Sequence, residues 1–341
     1  MSGAAAESKR SEGTGRGGAR GALRRVLAAR EFGLLAGLIL IGALFTYFTP
    51  NFLTPGNLLV VARQVSIILI IAIGMTFVIL ASGIDLSVGS VVALTSVSLG
   101  YFIVGAGLPL PVAILAALGV GALVGLINGA LVVKTGVASF IVTLGMLGIA
   151  RGVALGTSGG ATQSGFPSAF LAIGQGRLLG IPIPVWIAAV IAIAAHIVLS
   201  RTVLGRHVYF LGSNQEAAIL SGIAVNRLKF FIFILCSTLA AAASVIETAR
   251  LSTAQPAAGA GYELLAIGAV IIGGASLLGG EGTILGTVLG TILLGVISNG
   301  LVLLGISAFW QQAVSGTIII LAVTLNTYRQ RKAGIGGRAA V

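Results

Sequence analysis

Charge is scarce in this chain: 8% of its 341 residues are Asp, Glu, Lys or Arg, while 57% are hydrophobic and mean hydropathy is +1.11. A soluble core needs a solvated shell, and so few charges cannot supply one, which excludes a soluble globular fold. One cysteine, Cys236, and two histidines, His196 and His207, leave no disulfide framework and no Cys/His metal cluster. A membrane enzyme has little to work with, since His clusters, paired carboxylates within one apolar run and a nucleophile elbow are all missing. Nor does the chain carry its own ATPase. "GALVVKTG" (129–136) has the Gly and Lys-Thr of a phosphate loop, but Val133 stands where glycine should precede Lys134, and no strand-to-helix context surrounds it.

What is present is apolar length. A bilayer core of about 30 Å takes roughly 20 apolar helical residues per crossing. Runs broken by Gly, Pro or charge fall at about 32–49, 66–82, 88–105, 111–132, 138–157, 184–200, 230–247, 264–279, 283–303 and 308–326. They predict an all-α polytopic membrane protein with about ten transmembrane helices. The first run is followed by "PNFLTPGN" rather than a small-residue cleavage site, so it reads as a retained helix.

Net charge is +12 and pI ≈ 11.1, yet the basic residues flank the runs without interleaved aromatics. Orientation and anionic lipid account for them, and nucleic acid is not an expected partner. With the N-terminus in the cytoplasm, 16 of the 20 Lys and Arg fall on the cytoplasmic side, leaving Arg63, Arg151, Arg177 and Arg250 elsewhere. Both termini are therefore expected inside. Residues 1–30 are Gly, Ala, Ser and Arg without apolar period and read as a disordered basic tail. A second basic tail spans 327–341.

Between the second and third runs stands "ASGIDLSVGS" (81–90), an aspartate in a gap too short to be an ordinary loop. Gly83 suits the left-handed residue that closes one helix, while Asp85 or Ser87 suits the acceptor for free amides that begin the next. This is a capped tight turn at the cytoplasmic face. A fainter signal is the partial match of "GMTFVILAS" (74–82) to "GAVIIGGAS" (268–276), a hint of a duplicated bundle.

"SGIDLSVGSVVAL", together with residues 261–323 from "GYELLAIGAVIIGGASLLGGEGTILG" to "WQQAVSGTIIILAV", resembles the permease subunits of ATP-binding-cassette importers for monosaccharides, the ribose-type permeases. "FIVTLGMLGIARGVAL" (140–155) and "GRHVYFLGSNQEAAILSGIAV" (205–225) extend the resemblance over roughly residues 50–325. Ser82 departs from the second glycine common there. The resemblance implies a type II importer permease fold over 31–326, no covalent chemistry and no cofactor. It also implies ABC ATPase subunits, an extracytoplasmic sugar-binding protein and a second permease copy as partners. Gly83, Asp85, Ser87 and Gly89 make up its signature turn.

The longest cytoplasmic loop, 201–229, contains "GSNQEAAILSG". Ser213 or Asn214 suits the cap of a short helix, Glu216 lies in its first turn, and Ala217, Ala218 and Gly222 offer small contacts. By resemblance this is the coupling helix that meets the ATPase. Gly282, Gly286 and Gly290 recur every fourth residue beside Thr283, Thr287 and Thr291, which predicts close helix packing, with a polar stripe along a sugar route as the alternative. Polar residues in or beside the runs, Thr143 and Glu247 among them, are costly in hydrocarbon and are expected to face the bundle interior. Asn128, Arg151, Asn299, Gln311 and Gln312 are the candidates for a polyol pathway, and Arg151 and Glu247 are a possible pair near the outer face. The rival reading, an ion-coupled secondary transporter, usually needs a titratable midplane site. Here Asp85, Glu247, Glu263 and Glu281 all lie near run ends.

Overall fold

The structure, a computed structural model, describes residues 30–307 and scattered positions from 310 to 324. The two expected tails, apart from Arg30, lie outside the described residues, as do Gln311 and Gln312. Twelve helices are named here in chain order. They are α1 (Arg30–Phe48), α2 (Pro55–Leu80), α3 (Val88–Leu99, continuing as a π-helical turn over Gly100–Gly105), α4 (Leu110–Thr135) and α5 (Ser139–Ser158). Then follow α6 (Ser168–Gln175), α7 (Ile183–Arg201), α8 (Val203–Ser213), α9 (Gln215–Leu220), α10 (Val225–Leu251), α11 (Tyr262–Ile272) and α12 (Ile284–Leu303). A two-residue hairpin, β1 (Arg177–Leu178) with β2 (Ile181–Pro182), follows α6.

Among the described residues, seven helices are long and apolar enough to cross a membrane: α2, α3 with its π-turn, α4, α5, α7, α10 and α12. A count of ten is therefore not confirmed. The apolar part of α1 is shorter, α11 has 11 residues, and the 308–326 run lies largely outside the described residues. α11 stops early for a local reason. From Gly273 the chain reads "GGASLLGGEG", and Gly274, Gly279, Gly280 and Gly282 all take positive φ, so the expected helix over 264–279 cannot continue. At the other extreme α2 starts at Pro55, well before the expected 66. Pro55 occupies its first position and Thr54 caps it, so Asn57, Arg63 and Gln64 are carried inside the helix.

α2 is the axis of the bundle. From Ser66 to Leu80 every residue is buried, which a helix apolar on all sides requires, and α7, α10, α11 and α12 pack around it. α4, α5 and α7 lie on the outside and leave most of their apolar surface exposed, as lipid-facing helices do. Small residues bring backbones together. A Cβ on Gly286 would collide with the Gly273 carbonyl and one on Gly290 with the Ala269 carbonyl, so α11 and α12 meet backbone to backbone. Thr283 caps α12 through the Gly286 amide (2.9 Å), and Thr287 and Thr291 bond back to the preceding turn at 3.2 and 2.7 Å. Thr287 also meets Thr76 of α2 at 2.8 Å.

The two halves share a helix ending. Ser82 N and Gly83 N donate to Ile79 O and Val78 O; Gly274 N and Ala275 N donate in the same pattern to Ile271 O and Val270 O. The structural counterpart of Ser82 is thus Gly274, two residues away from the match in the sequence.

Candidate functional site

The segment 81–87 is a knot of polar contacts in an apolar bundle. It is Ser82 (φ 58°), not Gly83, that takes the left-handed conformation closing α2. Gly83 serves packing instead, since a Cβ there would press on Val78 at 3.1 Å. Asp85 is fully buried, and its Oδ1 accepts from Ser87 N (2.9 Å) and Ser87 Oγ (2.6 Å). Neither Asp85 nor Ser87 reaches an amide inside the first turn of α3, so the expected helix cap is instead a brace of the turn on itself. Burial pushes the Asp85 carboxyl up in pKa, against the downward pull of the two Ser87 bonds. Ser87 Oγ in turn accepts from Asn128 Nδ2 (3.0 Å), which places a pathway candidate, fully buried, in this network.

The rest of the knot comes from α5. Ser139 Oγ accepts from Ile84 N and Thr143 Oγ1 from Leu86 N, both at 3.0 Å. Residues four apart lie one above the other on a helix, so this pair forms a single ladder for the turn. Thr143 faces the bundle interior as expected, at 0% exposure, but sequence reading missed Ser139, although its place four residues before Thr143 at the start of α5 was the available signal.

Ser82 ties the knot to the non-spanning segments at this end. Its Oγ faces the carbonyls of Gly212 (3.0 Å), at the end of α8, and Leu278 (2.7 Å), while Gly280 N donates to Leu80 O (2.9 Å). A Cβ on Gly212 would strike the Leu80 carbonyl. α8 was not anticipated; Thr202 caps it through Gly205 N (3.2 Å), and Tyr209 Oη donates to Gly282 O (2.8 Å), its pKa raised by burial. Asn214, not Ser213, caps α9 through Ala217 N (2.9 Å). Ala218 is fully buried against the bundle, whereas Asn214 and Glu216 are exposed and Leu220 is 89% exposed. Gly222 is exposed and left-handed (φ 78°).

A second polar focus lies where the chain after α10 turns back into the bundle. Gln163 and Ala254 exchange backbone bonds (3.0 and 2.8 Å), Gln255 N donates to Ser96 Oγ (3.2 Å), and Gly259 packs on Gly89 and Val92. The segment thus runs alongside α3 from Ser96 back to Gly89, a descent of about 10 Å at the helical rise, before α11 begins. Arg151 holds it there. Its Nη1 donates to Pro256 O and Ala258 O (both 2.8 Å), and Nη2 reaches Gly89 O at 3.3 Å. Glu263 attracts Arg151 across this focus, and a Cβ on Gly89 would collide with the Glu263 carboxylate and the Gly259 carbonyl. Glu247 does not pair with Arg151; it accepts from Tyr262 Oη at 2.6 Å. Asn299 lies apart from both foci, bonded to Asn57.

Residues 57–323 match the family model described as "Branched-chain amino acid transport system / permease component". The chain belongs to this family. It is 47% identical to the ribose import permease protein RbsC of Escherichia coli (strain K12), with 87% of this chain and 93% of that protein covered. It is 38% identical to the D-allose transport system permease protein AlsC of the same strain (87% and 91% covered). It is 35% identical to the xylose transport system permease protein XylH of Haemophilus influenzae (strain ATCC 51907 / DSM 11121 / KW20 / Rd), with 88% and 96% covered. No solved structure matches. This is a multi-pass membrane permease.

Proposed function

We propose that the chain is the membrane subunit of an ATP-binding-cassette importer that carries a monosaccharide across the cytoplasmic membrane by alternating access. The observation that carries the reading is the tie from Ser82 to Gly212 and Leu278: the signature turn between two membrane helices is bonded to α8 and to the loop before α12. A push on α8 and α9 from a motor outside the membrane is thereby delivered to α2, the axis of the bundle. The relatives, permeases for ribose, allose and xylose, support a neutral monosaccharide as cargo. Nothing supports the ion-coupled alternative.

In this reading an ABC ATPase seats on α9 through Asn214, Glu216, Ala217 and the exposed Leu220, with Ala218 anchoring the helix from beneath and Gly222 letting the chain turn away. Residues 31–326 form the membrane domain, between the basic cytoplasmic tails 1–30 and 327–341. α1, α11 and the 308–326 run complete ten crossings, with both termini inside. An extracytoplasmic sugar-binding protein delivers cargo, and a second permease copy completes the route. Among Asn128, Arg151, Asn299, Gln311 and Gln312, Arg151 is the residue we place beside that route, because the re-entering segment it holds interrupts the helical wall. The test is uptake of labelled ribose, allose and xylose into proteoliposomes holding the whole complex. Uptake that needs ATP and the binding protein is expected; uptake driven by an ion gradient without ATP would sink the reading.

A further inference from the structure

Under the signature turn, at the end carrying α8 and α9, lies a cavity of about 440 Å³. That is within the usual range of small-molecule sites, roughly 300–1,000 Å³. Its walls come from the end of α2 and the turn after it at Ser82–Ile84, the end of α4 and the start of α5 as far as Phe140, Leu277 in the loop before α12, Gln215 at the start of α9, and the first turns of α10, where Asn226 and Lys229 are the polar residues. No acidic side chain among the described residues lines it. Lys229 is half-buried and carries three donors, of which Gln215 Oε1 accepts one at 2.8 Å. The amides of Ser139 and Phe140 open α5 and have no acceptor among the described residues, which adds positive potential beside the ammonium. Asn226, exposed at the mouth, contributes an amide with both a donor and an acceptor.

We propose that this cavity is a cytoplasmic binding site for a phosphate monoester, with Lys229 and the start of α5 taking the phosphate and the Asn226 and Gln215 amides taking hydroxyls. Two sources offer that chemistry, a phosphorylated monosaccharide in the cytosol and the headgroup of phosphatidic acid. The amides favour the sugar, the kind of product made when an imported monosaccharide is phosphorylated. A ligand here bridges α9 to the signature turn, and so opposes motion of one against the other. The effect on transport rests on the importer reading; the binding does not.

The experiment uses the full-length protein in phosphatidylcholine nanodiscs with labelled ribose 5-phosphate. Saturable binding is expected, displaced by inorganic phosphate but not by ribose. Lys229→Met should weaken it about tenfold, as loss of one charge-assisted contact does, and Lys229→Arg should largely keep it. Asn226→Leu, at an exposed position, should weaken ribose 5-phosphate while leaving inorganic phosphate unchanged. In discs with phosphatidic acid, protection of Lys229 from amine modification that is absent in phosphatidylcholine assigns the headgroup as the source and still upholds the phosphate site. No saturable binding and no protection, or binding that Lys229→Met leaves intact, would overturn it. In proteoliposomes of the whole importer, ribose 5-phosphate on the ATPase side should slow sugar uptake. Binding without slowing removes the inhibitory role, whereas absence of any ATP-driven uptake counts against the importer reading alone.

Discussion

Asn57 and Asn299 exchange two hydrogen bonds, Nδ2 to Oδ1 in each direction at 2.9 and 2.8 Å, across 242 positions of sequence. The pair joins the first turn of α2 to the last turns of α12. Each amide thereby satisfies the other in a place where an orphaned polar group is expensive. Asn299→Ala should destabilise the protein by about 1–3 kcal/mol, because it strands Asn57 Oδ1, whereas Asn57 Nδ2 keeps the Phe52 carbonyl at 2.8 Å. Asn57→Ala should cost a similar amount, and the double change less than the sum, since the orphan disappears. Thermal unfolding in detergent checks the cycle. Additive losses would show that the pair contributes nothing as a pair.

Asp85 offers a sharper contrast. Its Oδ1 braces Ser87, while Oδ2 is buried without a partner among the described residues, so the second oxygen is the dispensable one. Asp85→Asn keeps an oxygen for Ser87 and should retain folding and transport. Asp85→Leu leaves Ser87 N and Oγ unsatisfied and should cost about 1–3 kcal/mol, with loss of transport in proportion to lost protein. Equal loss of transport in both variants at normal protein levels would show that the charge itself has a function.

How far these relationships were legible in sequence depends on their range. Apolar runs marked most of the spanning helices because lipid imposes length and hydropathy on each run separately. The turn at 81–87 was visible as a turn, but which residue goes left-handed was not. Ser82 takes that role because its hydroxyl gains the Gly212 and Leu278 carbonyls, and those partners lie more than a hundred residues away. Arg151 showed its cost in the membrane but not its carbonyl partners in the re-entering segment, and Asn299 gave no sign of Asn57. α8 escaped notice because "VLGRHVYFLGS" is short and mixed in polarity; Thr202 three residues before Gly205 was the cue for its cap.

Gly89 in the signature stands where α3, Arg151 and the re-entering segment converge, with the Glu263 carboxylate and the Gly259 carbonyl both inside the space a Cβ would need. Gly89→Ala should therefore cost about 1–3 kcal/mol as overpacking against backbone that cannot give way. Gly145→Ala on α5 is the matched control. Nothing lies within 4 Å of a Cβ there, so the helix should gain up to about 1 kcal/mol. Thermal unfolding of the two variants in parallel reads the difference; a Gly89→Ala protein as stable as the parent would mean that the re-entering segment is not held against α3.

The contact with a motor domain is the prediction on which the functional reading turns. Sequence pointed to the small residues of α9, but Ala218 faces inward at 0% exposure, and Gly222 has φ 78°, so a bulky residue at either would disturb this protein before it disturbed a partner. Leu220 separates the two effects. It is 89% exposed at the end of α9, with Ile219 beside it at 54%, an apolar pair on an element outside the membrane-crossing set. Leu220→Glu should change stability by no more than about 0.5 kcal/mol, as exposed substitutions do, and should insert normally. It should nevertheless lose ATPase co-purification, or the dependence of ATP hydrolysis on the loaded binding protein, because a charge now faces an apolar groove. Leu220→Met keeps the apolar contact and should retain both. Parent-level coupling in Leu220→Glu would remove α9 as the place where the motor pushes.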